Sequence, residues 1–366
     1  MRVLTRAELN RSLLARNLLL ERATLDPVSA TEHLVGLQAQ EPQEPYVGLF
    51  SRVADFDPAA ASTLLESREL VRTLMMRRTI HLLSAADCLG LRALHQPMLE
   101  QRMRSVLRAR LVGVDEEELR AAGTPLFEGD PRQLADAGRA LADRWPNAAA
   151  RDLGDALSSL VPLVQVPPRG LWRQAGPARN TTIATWLGRD APTTTDTGEI
   201  DAEALVIRYL RAYGPAASAD VRAWSGLARL PAAIKNLAPD LVTYRDERGR
   251  TLLDVPDGIL PDPDTPAPSR FLPAFDNAVL GYDDRSRIID DEHKGLSVAG
   301  ARYLLVDGRV RGTWTTRTDD ETTVLVISPL SGLTRAEAGD DVESEGHLLL
   351  GMLTDGVGEH RIEWAA

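Results

Sequence analysis

Apolar positions along the chain recur in three stretches built alike: short helical periods, then an apolar segment broken by a turn. In the first, from Thr5 to Ser84, the helical periods are "RAELNRSLLARNLLLE", "ATEHLVGLQAQ" and "DPAAASTLLESRELV". The segment "LVRTLMMRRTIHLLS" that follows has the apolar and β-branched density of strands. The second stretch opens on an Arg-rich helix near Leu89–Leu111 and continues through "PRQLADAGRALADRWP" and "AAARDLGDALSSLVP". Its ribbon, "LVQVPPRGLWRQAG", takes Pro-Pro-Arg-Gly as the turn. The third stretch, Asp201 to Val255, runs through "EALVIRYLRAYG", "SADVRAWSGL" with Ser218 as helix N-cap, and "LPAAIKNLAP". The hairpin "LVTYRDERGRTLLDV" closes it.

Helices followed by a two-stranded wing form the winged-helix pattern, a helix-turn-helix with a β-ribbon attached. The predicted class is α+β, with winged-helix units at 1–84, 85–190 and 201–255 and a C-terminal α+β element at 270–366. A polar linker, "APTTTDTGEID", separates the second and third units, and a Pro/Asp-rich connection spans Pro256–Ser269. In the C-terminal element Asp307-Gly308 sits between alternating strands as a hairpin turn. "TVLVIS" supplies another strand, and an acid-rich start suits the closing helix.

At 366 residues the chain can bury a sizeable core, and 43% apolar with 26% charged residues is ordinary for a globular protein. No run approaches the ~20 apolar residues of a membrane span, and no signal-peptide pattern opens the chain; a cytoplasmic protein is expected. The net charge of −11 argues against nucleic acid until its distribution is considered. Only Lys235 and Lys294 among the 42 basic residues are lysine. Nine Arg between Arg68 and Arg110 face three acids, and six between Arg144 and Arg189 face two, whereas Asp254–Asp291 holds nine Asp. Basic inner faces within an acidic shell would give this bias; salt-bridged helix surfaces would give it too. The single cysteine, Cys88, sits at helical spacing among apolar residues and is expected to be a buried bystander.

The stretch "LVGLQAQEP" sets two glutamines, Gln38 and Gln40, one residue apart before Pro42. Ser29 and Glu32 stand at capping-box spacing, so a helix is expected to start at Ala30 with Leu34, Val35 and Leu37 buried. On a continued helix the two amides would diverge by about 200°. If the chain leaves the helix at Gln38, period-two geometry puts both on one side, where they could hold a water and a sugar. Solvated surface is the alternative the residues leave open.

The chain resembles the AlkZ/YcaQ-type winged-helix DNA glycosylases in "LVGLQAQEPQEPYVGLFSR", "RRTIHLLSAADC", "GLWRQAG", "GPAASADVRAWSGL", "LPAFDNAVLGYDDRS" and "DGRVRGTW", which span nearly its whole length in order. Gln-apolar-Gln, here Gln38-Ala39-Gln40, matches the AlkZ-like branch; the YcaQ branch is expected to carry Asp at the second position. The resemblance implies three tandem winged helices forming a C-shaped, concave DNA channel, with Gln38 and Gln40 catalytic. It further implies a monofunctional glycosylase for bulky N7-alkylguanine adducts or interstrand crosslinks, in self-resistance to a DNA-alkylating natural product. Such a leaving base is already cationic and needs no protonation. What remains is to hold a water and steady the sugar cation.

The expected partner is double-stranded DNA carrying alkylated guanine, bound by a monomer without an obligate protein partner. Candidate DNA contacts are Arg77 and Arg78 at the first wing, His81 beside them, Trp172 and Arg173 at the second wing, and Asp276 and Arg285 in "FDNAVLGYDDR". For His81 a structural histidine is the alternative, for Trp172 a core tryptophan, and for Asp276, Asp284 and Arg285 an ion-paired turn. No Gly-rich phosphate loop, metal-spaced His pair or nucleophile elbow is present, so no metal or cofactor is expected. A winged-helix transcription regulator and a non-catalytic lesion binder are the rival readings. The helices "ARDLGDALSSLV" and "PAAIKNLAPD" are poor in base-reading side chains, which counts against the regulator.

Overall fold

The computed structural model describes residues 1–189, 201–228, 230–330 and 332–365 of the chain. Apart from Asp201, the polar linker expected at 191–201 lies outside the described residues. The class is α+β, and three sheets organise it.

The central sheet runs in the order Leu37–Gln38, Ile80–Ser84, Leu70–Leu74, Leu163–Gln165, Asn180–Thr182, every neighbour antiparallel. Strands of the first and second stretches are therefore laddered into one sheet. The expected ribbon at Pro-Pro-Arg-Gly does not form: Leu163–Gln165 pairs with Asn180–Thr182, and residues 166–179 make an irregular loop. Pro167 and Pro168 carry no N–H for a ladder, which explains why the strand stops.

The third stretch forms helices Ala202–Tyr213, Ser218–Ser225 and Leu230–Leu237, then the hairpin Val242–Asp246/Thr251–Asp254. Ser218 is the first helical residue rather than the cap; the Asp220 carboxylate takes the Ala217 N–H instead. Val3–Leu4 joins this hairpin in parallel, so the chain's first residues complete its last helical stretch. Helix Arg6–Arg16, closed by a Thr5/Glu8 capping box, is fastened there by buried Arg16, which grips Asp254 at 2.6 and 2.8 Å.

At the C-terminal end five strands order as Glu359–Trp364, Thr322–Pro329, Arg309–Asp319, Arg302–Val306, Arg270–Leu272. The Asp307-Gly308 turn is present, with φ of 47° and 75°. Its tip docks on the first helix, where Asn10 donates to the Gly308 carbonyl at 2.7 Å. Among the described residues four α-helices escape the sequence reading, Glu44–Phe50, Glu116–Glu128, Ile183–Leu187 and Asn277–Leu280; Gly123 and Pro125 disguise the second. One large core runs from Leu13 and Val71 through Tyr209 and Trp224 to Tyr303, and a smaller one, including Leu119, Phe127 and Leu157, lies within the second stretch. No described helix is long and apolar enough to cross a membrane.

The approach to the glutamines departs from expectation in an informative way. The helix covers Pro27–His33, capped by Asp26 with Pro27 at its first position, so neither the Ser29/Glu32 box nor a helical Leu34–Gln40 exists. Val35 (φ 55°) and Gly36 (φ 93°) turn the chain out of the helix into strand. A Cβ on Gly36 would meet the Leu83 side chain at 2.5 Å and the Leu82 carbonyl at 3.1 Å, so only glycine fits. Gly36→Ala is expected to cost about 1–3 kcal/mol of stability, read as a lowered urea midpoint. An unchanged midpoint would show that this turn does not constrain the strand.

Candidate functional site

Because Leu37–Gln38 is strand, side chains alternate across it: Leu37 and Ala39 are buried, Gln38 is half-buried and Gln40 is exposed. This alternation of burial sets both amides toward the outside, although Gln40 lies beyond the strand and the helix ends five residues before Gln38 rather than at it. The ladder fixes their register. Gln38 stands opposite His81, and the Ala39 N–H donates to the Ile80 carbonyl at 2.8 Å. The Gln40 side-chain oxygen accepts from the Ile80 N–H at 3.3 Å.

Two guanidinium groups of the facing hairpin hold this strand. Arg77 donates from Nη2 to Gln38 Oε1 at 2.8 Å and to Asn277 Oδ1 at 3.1 Å, and from Nη1 to the Trp224 carbonyl at 2.6 Å. Arg72, 2% exposed, donates to the Ala39 carbonyl at 2.8 Å and the Arg169 carbonyl at 3.3 Å. Neither forms an ion pair with a carboxylate among the described residues. Burial pushes both down to about 10, and both remain cations at neutral pH. The turn carrying Arg77 is itself constrained, with φ of 56° at Arg77 and 61° at Arg78.

Arg78 points elsewhere, pairing with Asp155 at 2.8 Å and Ser159 Oγ at 3.0 Å. His81 is fully buried and its Nδ1 meets the Thr79 carbonyl at 3.0 Å, so Nδ1 carries the proton. Burial first, then the Arg77 charge, push its imidazole down to about 3. His81 is therefore a neutral structural group, which corrects the idea of a base working near neutral pH and removes it from the DNA-facing surface. Asp276 is likewise buried: its carboxylate caps helix Asn277–Leu280 and takes both Arg52 Nη atoms at 2.7 and 2.9 Å. That bidentate pair makes Asp276 scaffold rather than a surface contact.

Arg285 is half-buried on Ser297 Oγ at 2.5 Å, and its charge reaches Arg77. Asp284 takes Arg248 and Arg250 at 3.1 and 2.9 Å, the ion-paired turn foreseen as its alternative. Trp172 tilts against Tyr46, ring centroids 4.8 Å apart, and donates its indole N–H to Asp355 at 3.0 Å; Arg173 grips the same carboxylate at 2.6 Å. These two residues join the irregular loop to the end of helix Arg335–Thr354, and the Arg173 N–H also donates to Gln43 Oε1 at 2.8 Å, just past the glutamine pair. Cys88 is fully buried with its thiol pushed up to about 12, a bystander as expected. Among the described residues no cluster of His, Cys, Asp and Glu could hold a metal ion.

Two residues at the pair are not singled out by the sequence reading. Arg72 could have been flagged as a lone charge within the apolar run "LVRTL". Asn277 lies between residues that drew attention for their charge.

The family model for DNA glycosylase AlkZ-like proteins matches residues 31–352. No curated protein matches the sequence. Among solved structures, Streptomyces sahachiroi DNA glycosylase AlkZ has a similar fold, with a TM-score of 0.79 and 20% identity over 100% of both chains.

The buried neutral histidines set a pH dependence. His81 and His95 are pushed down to about 3 and about 4, below their ordinary value, so between those values and about 6.5 the unfolded chain binds protons that the folded chain refuses. Stability is therefore expected to fall as pH drops from 7 to 5, with the His81→Leu variant retaining roughly half of that slope. Urea midpoints measured at the two pH values check this; equal slopes in both proteins would show that His81 titrates freely.

Proposed function

The chain belongs to the AlkZ-like DNA glycosylase family, and from that premise we propose that it hydrolyses the N-glycosidic bond of bulky N7-alkylguanine lesions, with Gln38 and Gln40 as the catalytic pair. The observation that carries this reading is the shared face of the two amides, one exposed and one half-buried, on a strand held by Arg72 and Arg77.

The chemistry suits neutral side chains. Alkylation at N7 leaves the guanine cationic, so the departing base needs no general acid, and uncharged bases in normal DNA lack this activation. As the bond to C1′ breaks, positive charge passes from base to sugar. A water held at C1′ then completes the hydrolysis and gives up a proton to solvent, and amides fixed beforehand orient that water and the sugar. With one lone pair of Gln38 Oε1 taken by Arg77, that amide still offers a second lone pair and two N–H donors.

An open approach would admit adducts too large to flip into a snug pocket, interstrand crosslinks among them. Self-resistance to a DNA-alkylating natural product is the role we assign to such an activity. We read the three helical stretches as winged-helix units of a monomer that clasps duplex DNA. For phosphate binding the candidates are Arg173, Arg102 and Arg108, all exposed. The last two pair with no carboxylate among the described residues.

Duplex DNA bearing one N7-alkylguanine, incubated with the protein and then treated with hot alkali, is expected to break at the lesion. Gln38→Ala and Gln40→Ala are each expected to slow this about 10²–10³-fold while DNA affinity changes little. Full excision by the double variant would remove the pair from catalysis, and a gel shift without breaks would favour a lesion binder.

A further inference from the structure

Arg77, half-buried, contrasts in what it holds with the fully buried Arg16 and Arg52. Arg16 and Arg52 each meet a buried carboxylate, at 2.6 and 2.7 Å. Arg77 spends its charge on three neutral acceptors, the Trp224 carbonyl, Asn277 Oδ1 and Gln38 Oε1. Withdrawing much of a cation from water without a counterion is costly, but Arg72, Arg92 and Arg287 also rest on neutral oxygens, so a task for Arg77 has to be read from which groups it holds. The task is visible in its partners: two are scaffold and the third is one of the glutamines.

We propose that Arg77 is the positioning residue of Gln38, fixing which face of that amide is turned toward the nucleotide. This inference rests on the glycosylase reading above and goes beyond it. A guanidinium has only donors, so the Gln38 atom facing Arg77 must be oxygen; rotating the amide by half a turn would set N–H against N–H. The amide is therefore locked in one sense, with both N–H groups left to the open side. The charge drawn to the carbonyl also polarises the amide and strengthens those donors.

The lock itself is rigid. Trp224 O and Asn277 Oδ1 hold the guanidinium from two further directions, and Asn277 and Trp224 are themselves 4% and 0% exposed. The backbone of Arg77 lies close beneath Gly226 (φ 77°), where an added Cβ would stand 3.3 Å from its N and 3.5 Å from its Cα. Gln40 has no such anchor, since its oxygen accepts only from a backbone N–H at 3.3 Å. The two glutamines are thus unequal: Gln38 is preorganised and Gln40 is adjustable.

A double-mutant cycle tests this. Arg77→Lys keeps the charge but cannot fork across three acceptors. Single-turnover excision from duplex DNA carrying one N7-methylguanine, at saturating protein, is measured for the full-length chain, Arg77→Lys, Gln38→Ala and the double variant. The expected result is a rate about tenfold lower for Arg77→Lys with DNA affinity unchanged, and no further loss when Arg77→Lys is added to Gln38→Ala. Equal losses in both backgrounds, or no loss in either, would overturn the positioning role. Full activity of Gln38→Ala would instead overturn the catalytic reading of the pair, and the proposal with it. Should Arg77→Lys fail to fold, Gln38→Glu decides, because a carboxylate there gives Arg77 its missing counterion. A raised melting temperature supports the contact, and an unchanged or lowered one overturns it.

Discussion

The candidate site depends on how two cations, one buried and one half-buried, are satisfied. Arg72 and Arg77 enter from the hairpin beside the Gln-Ala-Gln strand and are met by oxygens of that strand, Ala39 O and Gln38 Oε1, rather than by carboxylates. Water is largely excluded from Arg72 and partly from Arg77, and each hydrogen bond to them is charge-assisted and hard to give up. Releasing the strand would leave both guanidinium groups short of an acceptor, Arg72 in the interior and Arg77 at its edge. The strand is only two laddered residues long, far too short to be held by backbone pairing alone. Its rigidity is borrowed from the arginines.

The same habit runs through the molecule and explains its use of arginine. Arg92 lies buried against the Ser159 and Val161 carbonyls, Arg287 reaches the Pro215 carbonyl and lies over the Tyr282 ring, and Arg68 lies over Trp186. Arg78, Arg104 and Arg110 are spent on Asp155, Glu100 with Glu116, and Asp152. Of the nine arginines between Arg68 and Arg110, most are therefore structural, and the local excess of charge overstates the surface open to phosphate. A planar fork with five donors can satisfy several carbonyls at once, which a lysine ammonium does less well. That geometry suits the near-absence of lysine.

Much of the fold is legible in the sequence because local pattern and tertiary environment agree. The third helical stretch, the Asp307-Gly308 hairpin and the acid-started final helix all follow from periodicity and turn chemistry. The failures have a common physical source. "ATEHLVGLQAQ" carries helical spacing, yet Val35 adopts a left-handed conformation that its β-branched side chain disfavours and is fully buried in the large core, and Gly36 after it fits close against Leu83 and Leu82. Likewise the pairing of Leu163–Gln165 with Leu70–Leu74 is a long-range choice that no local window contains. At the site, the shared face of Gln38 and Gln40 is foreseeable from period-two geometry. The burial of His81 and Asp276 is not, because a charged or titratable residue in an apolar segment reads alike whether it faces a ligand or a hidden partner.

Taken together, the arginine-held strand is a preorganised pair of amides, and the central claim is that this pair meets C1′ of the damaged nucleotide. A crystal structure with duplex DNA containing a cationic pyrrolidine analogue of the abasic sugar tests that most directly. The account predicts the analogue ring within about 5 Å of the Gln38 and Gln40 amides, a reach set by hydrogen-bonding distance through one water at most, with the Arg77–Gln38 contact retained. An analogue bound elsewhere on the protein, or seated at the strand with Gln38 turned away from Arg77, would contradict it.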